Sequence, residues 1–221
     1  MTSIWLSACG QQETAKKPAE PKTGFSAKKS VLTTEDDAKL SKFVYADTTY
    51  YRSATEGIRI QNSFPKGGSI APGGVQYVDA AGKQYGFGVF WTRISNQTTV
   101  PLDIDLRFPA DSFAIYQDPT AYVKLLLPPA ALDYDQLPAF NYGLTNVKSF
   151  LDASLHQGTQ LQKTLAPSEE HAFYVAALVK HQAGGTVRTA LILRGQDLAY
   201  TIRVKPQGGG IIPCGKLTLI E

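Results

Sequence analysis

Phe87-Gly-Val-Phe-Trp-Thr-Arg-Ile-Ser-Asn-Gln-Thr-Thr-Val-Pro-Leu-Asp-Ile-Asp-Leu-Arg-Phe-Pro-Ala-Asp-Ser-Phe113 is the stretch on which the fold turns. It reads as two β-strands joined by the polar turn Ser95-Asn96-Gln97-Thr98-Thr99. The second strand alternates strictly. Leu102, Ile104, Leu106 and Phe108 share one face, and Asp103, Asp105 and Arg107 share the other. That is the period of a half-buried strand. Pro101 is tolerated because it stands at the strand's start, where its missing N–H costs no ladder bond. Trp91 with Leu102, Ile104, Leu106 and Phe108 is the expected core.

The same signals recur along the chain. Strands are expected at 57–61, 75–78, 85–94, 122–127, 160–165, 171–179, 186–194, 198–204 and 216–220. Asp79-Ala80-Ala81-Gly82-Lys83 and Gly195-Gln196-Asp197 read as hairpin turns, and Gly208-Gly209-Gly210 as a loop. Two short helices are expected. One lies within 33–44, with Leu40, Phe43 and Val44 on one face. The other lies within 145–155, with Leu144, Val147, Leu151 and Leu155 at helical spacing and Thr145 as cap. Strands and helices do not alternate, so a parallel sheet is not expected. The fold class is mainly β: an antiparallel β-sandwich with one or two short helices, an immunoglobulin-like layout among the arrangements that fit. A chain of 221 residues with 43% hydrophobic and 19% charged residues can fill one good core or two small ones.

Net charge is +3 with both signs interspersed, which gives no basic face for nucleic acid. No apolar run reaches the roughly 20 residues of a membrane span. The N-terminus reads differently. Leu6-Ser7-Ala8-Cys9 resembles the lipobox of bacterial lipoproteins, small residues before a cysteine. That resemblance implies cleavage before Cys9, acylation of its thiol and a membrane anchor there. Residues 10–30 are polar and rich in Pro and Lys, with too little apolar surface to order themselves, as a tether would be. A secretory signal has a basic start and about 7–15 apolar residues. Only eight residues precede Cys9, none of them Lys or Arg, so a start further upstream is expected, or else a chance match. The expected organisation is a residual signal and lipobox at 1–9, a flexible tether at 10–50 and a β-sandwich at 51–221, with Tyr45–Tyr51 read either as the last of the tether or as a first edge strand.

Candidate chemistry is sparse. Asp103 and Asp105 would stand about 6.6 Å apart, inside the roughly 5–9.5 Å of glycosidase carboxylate pairs. Arg107 on the same face makes them a solvated surface instead. Asp133-Tyr134-Asp135 lacks the glycine and distal glutamate of a calcium loop and reads as a polar loop. His156, His171 and His181 form no metal-type doublet, and no metal or cofactor is expected. Ser112 lacks a nucleophile elbow, and Cys214 reads as a buried thiol. Asp47-Thr48-Thr49 resembles a bacterial O-glycosylation acceptor. Tyr77, Tyr85 and Trp91, with Phe87, are the candidate ligand-binding aromatics, a platform for sugars if their faces are open and core if they are not. The expected protein is a non-enzymatic, lipid-anchored envelope component of the outer membrane, held at Cys9, with a protein or glycan partner of unknown identity. A carbohydrate-binding or adhesin-like module and a hydrolase with an unrecognised site are the alternatives.

Overall fold

The structure is a computed structural model, and it describes residues 25–29, 35–114, 122–180, 186–205 and 208–221. Two antiparallel sheets pack face to face. The larger runs in the order β1 (Ser26–Lys29), β2 (Val44–Tyr51), β3 (Gly57–Ser63), β6 (Gln84–Gln97), β11 (Glu170–Lys180), β9 (Tyr122–Leu126), β8 (Phe113–Ala114). Short strands β4 (Lys66–Gly67) and β5 (Tyr77–Val78) add to β6. The smaller sheet runs β10 (Thr159–Leu165), β7 (Leu102–Phe108), β14 (Gly208–Leu219), β13 (Asp197–Lys205), β12 (Thr186–Arg194). The β-sandwich expected from the alternation is the architecture that forms, with more strands than the about seven to nine of an immunoglobulin domain.

β7 follows its pattern. Leu102, Ile104, Leu106 and Phe108 are buried and Arg107 is exposed. They meet Ile58, Ile60, Phe90, Ile94 and Val175 of the larger sheet in the core between the sheets. The larger sheet is buried on its second face as well. There Phe87, Val89, Trp91 and Tyr174 pack under a cover built from α1 (Glu35–Leu40), the chain around Ile70, and the segment from Leu137 through α2 (Val147–Ser154). A strand buried on both faces has no reason to alternate. β3 and the middle of β6 are therefore buried residue after residue.

The two sheets are stitched by polar side chains where they meet. Asn62 Oδ1 accepts from the Leu191 N–H at 2.7 Å, and its Nδ2 donates to the Leu191 carbonyl at 3.2 Å. It thus serves as a ladder partner for β12, one of the two edge strands of the smaller sheet. On the other side, Thr159 Oγ1 accepts from the Leu127 N–H at 2.9 Å. At the β6–β7 connection, Asn96 Oδ1 accepts from Thr98 N–H at 3.0 Å and its Nδ2 donates to the carbonyls of Val100, Leu165 and Ala166. The turn expected at 95–99 is therefore shorter, because β6 runs on to Gln97.

Three expectations are corrected. The folded domain does not begin at residue 51. β2 is a full strand paired with β3, and α1 lies over the sheet with Leu40 in its cover, so the flexible stretch cannot extend to residue 50. The helix after Leu144 is capped at Asn146, in a left-handed conformation without a side-chain cap bond, and not at Thr145. Gly208–Gly210 opens strand β14 and is not a loop. A side chain at Gly209 would run into the Ile202 carbonyl of β13, so glycine there permits close strand pairing. The turn at Asp79–Lys83 is as expected, with Gly82 at φ +78° and the Asp79 carboxylate accepting from the N–H groups of Ala81 and Lys83, each at 2.9 Å.

Candidate functional site

Strand alternation puts Arg59 and Gln61 of β3 and Arg93 of β6 on the second face of the larger sheet. Gln61 and Arg93 are direct cross-strand neighbours. Open sheet faces carry such residues in water. Here α1 closes over them, and Arg59 and Arg93 are only 4% and 3% exposed. A guanidinium cannot shed its charge, so burial requires oxygen partners. Asp37 of α1 supplies one for each. Its Oδ2 accepts from Arg59 at 2.7 Å and its Oδ1 from Arg93. Asp47 of β2 takes a two-point bond from Arg59, at 3.0 and 2.6 Å. Gln61 accepts from Arg93 Nε at 2.6 Å and donates to Asp47 at 2.8 Å. Glu170 at the start of β11 faces Arg93 at 3.2 Å and accepts from the Tyr134 hydroxyl at 3.0 Å.

Burial by itself would lower the Arg59 pKa, but the bonds to Asp47 and Asp37 outweigh it and raise it, so the charge is locked in. Burial and then the Glu170 charge push the Tyr134 hydroxyl up to about 12, which keeps it a donor. The network borders an open cleft of about 550 Å³, walled by Glu56, Ser95, Thr99 and Glu170. Glu56 in turn accepts from the Thr99 hydroxyl at 2.7 Å. Two arginines face Asp37, Asp47 and Glu170, and Glu56 adds a further negative charge, so the lining is rich in acceptors. It suits a ligand that brings hydroxyl or ammonium donors.

The residues singled out in the sequence lie elsewhere. Trp91 and Tyr77 are 0% and 1% exposed, inside the cover of the larger sheet, so neither presents a ring face to a sugar. The Trp91 indole N–H has no hydrogen-bond partner among the described residues. Tyr85 is half-buried against Tyr77, and its hydroxyl donates to Asp79 at 3.0 Å. The three do not form an open platform. Asp105 pairs with Arg107 at 2.8 Å and Asp103 accepts from Thr164 at 2.6 Å, both on the solvated face of the smaller sheet. Asp133 caps a single 3-10 turn by accepting from the Asp135 N–H. Asp47 and Thr49, two of the three residues of the glycosylation-like triplet, are committed to strand β2, with Thr49 2% exposed.

His171 stacks on Phe173 and makes no hydrogen bond to a serine or carboxylate among the described residues. His181 and Cys9 lie outside the described residues. No group of three or more His, Cys, Asp or Glu is placed to hold a metal among the described residues. Cys214 is the extra residue of a bulge in β14, where Leu198 pairs with Gly215 and Ala199 with Pro213. It points into the core, and burial pushes its thiol up to about 12.

Arg59, Arg93 and Asp37 were not singled out in the sequence. One signal was there: Arg93 follows Phe90-Trp91-Thr92 and precedes Ile94, a charge inside a run apolar on both faces. No protein-family model matches the chain, and comparison with characterised proteins finds no significant relative.

Proposed function

We propose that the chain is a non-enzymatic, lipid-anchored protein of the bacterial cell envelope, held at the outer membrane by Cys9, whose sandwich binds a ligand at the Arg59–Arg93 cleft. Leu6-Ser7-Ala8-Cys9 followed by a polar, Pro/Lys-rich stretch is the observation that carries the anchor. A thiol with several acyl chains holds firmly, since each buried CH₂ contributes about 0.8 kcal/mol. The cleft favours binding over catalysis. Its two arginines are already engaged by Asp37, Asp47 and Glu170, and among the described residues no histidine lines it to move protons. Radiolabelled palmitate tests the anchor. Label is expected on the wild-type chain and not on Cys9→Ala, and equal labelling of the two, or none on either, refutes it.

The second reading, a carbohydrate-binding module, moves from the aromatics to the cleft. Hydroxyls and carboxylates on facing walls match the donor-rich surface of a glycan. Neutral oligosaccharides titrated into the protein should bind and lose affinity on Glu56→Ala. Binding that ignores this change places the glycan elsewhere.

A further inference from the structure

At the other end of β6, on the same face as the arginine cleft, lies a separate cavity of about 290 Å³. Its floor is Leu155 and Leu178. Lys124 of β9 forms a wall, and Lys83 and His156 stand at the rim. Lys124 is the unusual member. It is 4% exposed, yet no carboxylate among the described residues lies within ion-pair distance of it. Its ammonium donates to neutral carbonyls, those of Ala110, Gln157 at 3.2 Å and Pro109 at 3.5 Å. Carbonyl dipoles satisfy its donors, and no carboxylate among the described residues pairs with its charge, whereas buried charges are ordinarily paired. Burial accordingly lowers its pKa, opposed only by the more distant charge of Asp111. Arg59 and Arg93 show what this same sheet does with buried cations when it pairs them, since each has carboxylate partners. In the Lys124 cavity the described residues bring one carboxylate, Asp111, which is not within ion-pair distance of the ammonium, and Lys83 and His156 add two further nitrogen donors to the lining.

We propose that this cavity binds a phosphate monoester group, with Lys124 as the buried counter-charge and Lys83 and His156 as donors from the rim. Lys83 and Lys124 against Asp111 give the lining an excess of positive charge. The Ser112 and Tyr122 hydroxyls, also in the lining, add donors for a tetrahedral oxyanion. The volume is at the small end for ligand sites, which fits a phosphate with a short carbon stub and not a nucleotide. The ester could be a free metabolite or the headgroup of a lipid.

Glycerol 3-phosphate titrated into full-length protein carrying Cys9→Ser, followed by ³¹P NMR and calorimetry, tests the site. Binding is expected, and Lys124→Gln should weaken it by about tenfold or more, as loss of a nearby buried counter-charge does. Lys83→Gln and His156→Gln, both at exposed positions, should each weaken it several-fold, and Arg107→Gln on the far sheet should not. These rim variants keep the test decisive if Lys124→Gln fails to fold. Flotation with phosphatidylcholine vesicles, with and without phosphatidic acid, separates the sources. Preference for phosphatidic acid that the rim variants abolish assigns a lipid headgroup, and solution binding without that preference assigns a free ester. No binding in either format, or binding unmoved by both rim variants, overturns the proposal.

Discussion

β3 and β6 carry two buried faces made from alternate residues of the same strands, and the two faces are built on opposite principles. Toward the smaller sheet stand Ile58, Ile60, Phe90 and Ile94, each at most 2% exposed. Away from it stand Arg59, Gln61 and Arg93, buried almost as deeply. The first face is held by removal of apolar area from water, worth roughly 1.5–3 kcal/mol per large side chain. The second gains nothing from desolvating its charges and stands only because each guanidinium finds carboxylates. Its key carboxylate comes from outside the sheet, on α1, 22 residues before Arg59 and 56 before Arg93. An apolar face thus tolerates imperfect partners, whereas an ionic one depends on a single well-placed residue.

The sharpest way to break this contrast is to remove that residue. Asp37→Ala leaves two buried guanidiniums short of a partner and should cost about 4 kcal/mol, read from the urea midpoint by tryptophan fluorescence. A loss below that of an ordinary core truncation would mean that Asp47 and Glu170 suffice and that the cluster is not organised by α1. The matching change on the apolar face is Ile94→Ala, at 0% exposure. It should cost about 3 kcal/mol through lost transfer energy and a residual cavity. Ile94→Val should cost about 1 kcal/mol. That graded response is expected only where the term is area and not charge.

How much of this was legible in the sequence follows the same division. β7 was legible because one of its faces meets water, so Asp103, Asp105 and Arg107 marked the outside. The hairpins at Gly82 and Gly195 were legible because left-handed backbone calls for glycine, and both have positive φ. β2 and α1 fall within the expected tether because Asp37 and Asp47 read as polar surface, and polarity is a sign of exposure only when nothing covers the residues. Arg59 and Gln61 looked like the wet side of a strand for that reason. What buries them is a contact between distant segments, and local periodicity carries no record of it. The aromatics failed in the opposite sense. Tyr77 and Trp91 alternate like a platform, but the cover formed by Tyr142, Val147 and Leu151 takes their faces.

Asn62 lies between the two regimes: a polar side chain on the apolar face. It bonds both backbone groups of Leu191, and its Oδ1 also accepts from the Thr92 hydroxyl at 3.1 Å. Asn62→Leu keeps the branched shape but strands a buried N–H, carbonyl and hydroxyl. It should cost about 2 kcal/mol, less than either larger change and more than a surface one. Hydrogen exchange locates the effect, since the Leu191 amide should lose protection while amides of β7 keep theirs. Equal loss across both sheets would show that Asn62 supports the whole core and not the β3–β12 seam.

The smallest effect is expected at Asp105, and it tests the premise most directly. Asp105 and Arg107 form a two-point pair at 2.8 and 2.9 Å, geometry as good as that of Arg59 with Asp47. The difference is water. Arg107 and Asp105 side chains are 59% and 45% exposed, those of Arg59 and Asp47 5% and 9%. In solvent either partner is well hydrated alone, and exposed pairs contribute little. Asp105→Asn should therefore leave the urea midpoint unchanged, at low salt as well as high. A measurable drop at low salt that salt removes would show that Coulomb attraction on the open face contributes after all. The contrast between the two ion pairs would then rest on distance and orientation, and burial would lose its place as the deciding variable.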